Sequence, residues 1–181
     1  MSGDGDAGGE AKRSFWDIPD GLITGAWAEK RRVADELRHL VARCVTTDAP
    51  EDVLANVREL IEEAARALDP YPGLTFGEGR DACRDYDDLA VYADRGALVG
   101  PCNPLAPPMH LSMEGDTAVA RVRFGPPYEG LPGAVHGGFV AAAFDQLFGY
   151  LQVQRNVGSV TATLTVDYRK ITPLDTDLRY E

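Results

Sequence analysis

Residues 139–151 read Phe-Val-Ala-Ala-Ala-Phe-Asp-Gln-Leu-Phe-Gly-Tyr-Leu, a helical stretch apolar on every side that carries one carboxylate, Asp145. A surface helix shows a polar face. This one has none, so the pattern predicts a helix inside the fold, wrapped by other elements. A lone carboxylate there is expensive unless something uses it. Asp145 is therefore the first candidate functional residue.

The helix opens at Leu131-Pro132-Gly133-Ala134-Val135 and passes through His136-Gly137-Gly138. Backbone N–H groups at a helix start lack intrahelical partners and sit at the positive end of the dipole. Glycine lets a ligand approach that backbone closely. Taken alone, the two glycines read equally well as tight loop–helix packing, and His136 as a cap. Asp145 adds weight, with small Ala141 and Ala142 one turn before it. A carboxylate facing an oxyanion-type donor is the pairing that acyl transfer needs. Spacing then sets a constraint. Asp145 lies eight positions beyond Gly137, about 12 Å along a helix at ~1.5 Å per residue, whereas an oxyanion donor works at ~3 Å. The two cannot grip one carbonyl from the same chain. Two copies with antiparallel helices can, each lending Gly137 to the other's Asp145.

Composition narrows the class. The chain has 181 residues, 44% hydrophobic and 26% charged, the profile of a globular domain with an appendage. A net charge of −11 argues against a nucleic-acid binder, which needs a basic footprint. Any anionic ligand must meet a local basic cluster. Cys44, Cys83 and Cys102 are odd in number and widely spaced, which predicts neither a disulfide framework nor a zinc site. His39, His110 and His136 are equally dispersed, so no metal is expected. No signal peptide and no bilayer-length apolar run is seen. The expected location is cytoplasmic, with no membrane partner.

Along the chain, residues 1–25 read as a disordered tail, Gly- and Asp-rich at its start. A helix is predicted over Ala26 to Cys44, with Val33, Leu37, Leu40, Val41 and Cys44 on its apolar face and Glu29, Arg31, Arg32 and Arg38 mostly off it. Asp48 reads as an N-cap with Pro50 just inside the next helix, which runs to about Leu68 with Val53, Val57, Leu60, Ile61, Ala64 and Leu68 in one stripe. Residues 26–68 thus read as a helical hairpin, an accessory without chemistry. Residues 69–100 read as a linker whose charges, Arg80, Asp81, Arg84, Asp85, Asp87 and Asp88, form a solvated face, with a helical turn near Tyr86–Tyr92. From Pro101 the pattern turns to strands. Met109 to Met113 and Thr117 to Phe124 flank the turn Glu114-Gly115-Asp116. Ser159 to Lys170 alternates Thr161, Thr163, Thr165 and Asp167 against Ala162, Leu164, Val166 and Tyr168. Leu178 to Glu181 begins another strand. Strand, strand, buried helix, strand, strand is an α+β order.

The run Tyr128-Glu129-Gly130-Leu131-Pro132-Gly133-Ala134-Val135-His136-Gly137-Gly138, with Asp145 nine residues past the histidine, resembles the PaaI-type branch of the hotdog-fold acyl-CoA thioesterases. Thr161 through Leu174 resembles the strand that follows the helix in that branch. The resemblance spans roughly Asn103 to Glu181. It implies a hotdog fold over residues 101–181, an antiparallel sheet around one long helix, partial because the family's sheet continues for several strands past Glu181. It implies hydrolysis of an acyl-CoA thioester by a dimer or a dimer of dimers, without a cofactor. Asp145 would be general base or nucleophile and the Gly137 N–H the oxyanion donor. His136 would support the loop, and Thr161 would help position water or the carboxylate. Gly138, Asp167, Arg169 and Lys170 would bind substrate, the last two supplying positive charge for CoA. The chain departs from the pattern twice. Asp167 stands where some relatives carry asparagine. Glu129-Gly130-Leu131 replaces a loop that in some branches holds an asparagine, so its hydrogen bonds must come from elsewhere. A non-catalytic acyl-CoA binder is the alternative. A hotdog dehydratase needs an Asp/His pair, and no histidine follows His136.

Overall fold

The computed structural model describes residues 23–73 and 93–181. The tail reading before residue 23 and the charge and turn readings between 80 and 92 lie outside these residues. Helix α1 spans Gly25–Thr46 and α2 Glu51–Arg66. Strands β1, Met109–Glu114, and β2, Thr117–Arg123, are followed by helix α3, Gly137–Gln154, and strand β3, Asp177–Tyr180. This is a mixed fold of helices and antiparallel sheet, in the strand order β1-β2-β3.

The sheet forms as its alternation dictates. Gly115 takes φ +60° at the β1–β2 turn, where glycine has no steric penalty, and Met109 pairs with Val122 through Glu114 with Thr117. β3 pairs on the other edge of β2, Tyr180 opposite Ala120. Ala120, Val122 and Phe124 turn inward onto α3, whose Val140, Ala143, Leu147 and Tyr150 complete the core. These four recur at helical spacing and make one buried stripe.

Four expectations need correcting. First, α3 is not enclosed. Among the described residues three strands cover one side of it and the opposite side is open, with Asp145 exposed and Phe148 40% exposed. Second, Ser159 to Lys170 is not a ladder strand. The segment carries no regular secondary structure, because β3 rather than this stretch takes the free edge of β2. A period-two pattern becomes a strand only with a neighbour to bond.

Third, α1 and α2 are both helical but do not pack along each other as a hairpin. No residue of α2 is buried, and Val53, Leu54, Leu60 and Ile61 face solvent. Its N-cap is Pro50 rather than Asp48, with Glu51 and Asp52 in the first turn. Fourth, α1 docks by its other face. Trp27 and Ala34 are buried with Arg31 and Arg38 beside them, whereas Val33, Leu37 and Val41 are exposed.

The reason is Asp94, near the end of the presumed linker and fully buried. Its carboxylate accepts from the Trp27 indole, from both Arg31 Nε and Nη2, and from Cys102 Sγ at 3.0 Å. A buried charge needs this many donors. Arg38 adds bonds to the carbonyls of Asn103 and Pro101 at 2.8 and 3.0 Å. Specific polar bonds, rather than apolar area, choose the face.

Candidate functional site

The loop before α3 is bonded throughout. Tyr128 O accepts from His136 N at 2.8 Å, and the Glu129 carboxylate accepts from Gly133 N at 2.6 Å. Glu129 thus supplies a hydrogen bond within the loop. The returning chain ties to the same loop, Val135 N to Thr172 O at 2.8 Å and Leu174 N to Gly133 O at 3.1 Å. Gly130 has to be glycine here, because a Cβ would stand 2.8 Å from His136 Cα. Tyr128 and Phe139 pack edge to face at 4.9 Å beneath the loop.

His136 is the N-cap of α3. Its Nδ1 accepts from Gly138 N at 3.0 Å, which requires a ring without a proton on Nδ1. The other end of the same peptide is also held, since Tyr168 OH donates to Gly137 O at 2.8 Å. With Gly138 N engaged, the Gly137 N–H is the first donor of the helix and makes no hydrogen bond among the described residues. The Tyr168 ring lies where a side chain at position 137 would begin, 3.1 Å from its Cβ, and the backbone remains approachable.

The candidate residues fall into two groups. His136, Gly137, Arg169 and Lys170 line one cavity of about 620 Å³, walled also by Val140 and Tyr168. Asp145 and Thr161 line a separate open groove of about 320 Å³, with Ala141, Ala142 and Leu164. The segment after α3 runs antiparallel to it, so Tyr168 meets the first turn and Thr161 to Leu164 lie beside Asp145. The sequence expectation that Asp145 is sequestered is corrected. Its carboxyl is exposed, because the open side of α3 carries it. Gly138 and Asp167 line neither space. Gly138 instead gives its N–H to His136, and Asp167 is exposed.

Two further features were missed by sequence reasoning. Tyr168 was placed on the apolar face of a strand, and nothing in a single sequence shows that its hydroxyl reaches Gly137. The Asp94 cluster was hidden because its partners lie 67, 63 and eight residues away. Burial and the adjacent Asp94 carboxylate push the Cys102 thiol up to about 12. Among the described residues no three His, Cys, Asp or Glu side chains gather as a metal site, and no helix is long and apolar enough to cross a membrane.

In three dimensions the chain is similar to a crystal structure described as that of a thioesterase superfamily protein. The two share 27% sequence identity with a TM-score of 0.66, over 83% of this chain and 76% of the other. No family model matches the chain, and no curated protein matches it in sequence.

Proposed function

We propose that this chain is an acyl-CoA thioesterase of the PaaI-like hotdog type, acting as a homodimer or dimer of dimers. One observation carries the reading. The unbonded Gly137 N–H shares a cavity with Arg169 and Lys170, while Asp145 and Thr161 share a different groove of the same chain. These are two half-sites. An antiparallel second copy would set the first turn of its α3 against the middle of this one, completing two sites at once. The thioesterase superfamily neighbour supports thioester hydrolysis as the chemistry. Exposed apolar side chains around both spaces, Phe148, Val160, Tyr168 and Ile171, support an interface there.

In the proposed reaction the thioester carbonyl points at the partner's Gly137 N–H, which stabilises the oxygen as it gains charge. Asp145 takes a proton from water, or attacks directly, with Thr161 orienting it. When Asp145 acts as base, the water oxygen bonds to the carbonyl carbon, the carbon–sulfur bond breaks, and the CoA thiolate leaves and takes up the proton. When it attacks directly, the carbon–sulfur bond breaks to give an acyl–Asp145 anhydride, which water then hydrolyses, and the water's proton goes to the thiolate. Arg169 and Lys170 hold CoA phosphates against the protein's net charge of −11. Asp167, exposed nearby, tempers that attraction.

The test is hydrolysis of a panel of acyl-CoA thioesters, followed by release of free thiol. Turnover by the wild type and its loss in Asp145→Ala support the proposal; equal turnover by both removes Asp145 from the mechanism. The exposure of Asp145 favours one second reading, an acyl-CoA binder without turnover. Binding of acyl-CoA with no thiol released would select it.

A further inference from the structure

We propose that Tyr168 is a positioning residue that, with His136, fixes the direction of the Gly137 N–H by clamping the next peptide at both ends. The inference rests on the thioesterase reading for its kinetic consequence but not for its geometry. The Gly137–Gly138 peptide donates its N–H to His136 Nδ1 at 3.0 Å and accepts from Tyr168 OH at 2.8 Å. Two glycines in succession give the backbone its widest choice of conformation, and this peptide lies between them. Pinning both of its ends removes that choice.

The two clamps arrive from different parts of the chain. His136 comes from the loop side, itself held by Tyr128 O and by the close approach of Gly130. Tyr168 comes from the segment 31 residues further on, which is fastened by Thr172 to Val135 at 2.8 Å. The ring of Tyr168 also rests on Gly137 itself, 3.1 Å from where a Cβ would stand, so a side chain there would have to push it aside. The preceding peptide, which carries the Gly137 N–H, is joined to a fixed neighbour on each side, and Gly137 lines the cavity with Arg169 and Lys170. Tyr168 is 58% exposed, so its hydroxyl is not needed to fill the core. A donor for an oxyanion works only when its direction is set before the reaction.

The experiment compares the wild type with Tyr168→Phe, which keeps the ring, and with Tyr168→Ala, which removes it. Two readouts are taken on the full chain: steady-state hydrolysis of acyl-CoA thioesters, and the backbone amide resonances of Gly137 and Gly138. Tyr168→Phe is expected to lower kcat about tenfold with KM within about twofold, and to shift both amide signals without a change in melting temperature. Tyr168→Ala should lower kcat further. Unchanged kcat and unchanged amide signals in Tyr168→Phe would overturn the assignment. So would a raised KM at constant kcat, which would make Tyr168 a wall for the ligand. Were the wild type to hydrolyse no thioester, the thioesterase reading would fail on its own. The amide signals would still decide whether Tyr168 orders the Gly-Gly tip.

Discussion

Trp27 donates its indole N–H to the carboxylate of Asp94, and through that bond an amino-terminal helix is held to the sheet domain by its polar face. Arg31 and Cys102 close around the same carboxylate. A buried pair broken from one side leaves the other uncompensated. Asp94→Ala should therefore destabilise the protein by about 3–5 kcal/mol, read by chemical denaturation. Since α1 would lose its anchor, its release should show as proteolysis near Gly25. A variant as stable and as protease-resistant as the wild type would contradict the latch.

The same cluster sets a reactivity pattern. Cys102, raised from 9.0 to about 12 by burial and by Asp94, stays a thiol at pH 8, whereas Cys44 is exposed. Alkylation followed by peptide mass mapping should label Cys44 before Cys102. Asp94→Asn should speed Cys102, because the neighbouring negative charge is gone.

Alkaline stability follows from two raised groups. Cys102 holds its proton to about 12 against 9.0 when unfolded, and buried Tyr180 to about 12 against 10.0. Between those limits the unfolded chain has lost protons that the folded one keeps, so unfolding gains as pH rises. Stability should be full below pH 9 and should decline from there toward 12. A melting temperature constant from pH 8.5 to 11 would contradict this.

Gly130 tests the loop. A methyl group there would lie 2.8 Å from His136 Cα, backbone that cannot step aside. Gly130→Ala should cost about 1–3 kcal/mol and displace the His136 cap, lowering thioester turnover with it. Asp145→Ala, by contrast, alters an exposed side chain, and its stability should stay within about 0.5 kcal/mol of the wild type. Any lost turnover then reports chemistry rather than folding.

Much of this was legible from residues alone. The hairpin around Gly115, the helix from Gly137 and the return to the sheet at Leu178 follow from alternation, glycine and helical spacing. His136 and Gly137 line one space with Arg169 and Lys170, and Asp145 lines another with Thr161. What sequence could not supply were choices made between elements. The apolar stripe of α1, Val33, Leu37 and Val41, predicted the wrong docking face, because one buried carboxylate with donors from Trp27 and Arg31 outweighed it. Ser159 to Lys170 has the composition of a strand but no partner within the described residues. Asp145 looked buried because helix composition reports apolarity, not how many sides a sheet covers.

A site shared between two copies predicts that two inactive variants complement each other when mixed. Asp145→Ala removes the proposed base. Gly137→Pro removes the N–H at the first helical position, which proline favours, and His136 before it already has extended backbone, φ −60° and ψ 130°. Its Cβ would meet the Tyr168 ring at 3.1 Å, and that exposed ring has to shift slightly to admit it. Each variant alone should be inactive. Unfolding and refolding equal amounts together should make half the dimers mixed, each with one intact site of two, and recover about a quarter of wild-type thioesterase activity. Mixed dimers that form yet recover none, or a Gly137→Pro protein as active as the wild type, would contradict the shared site.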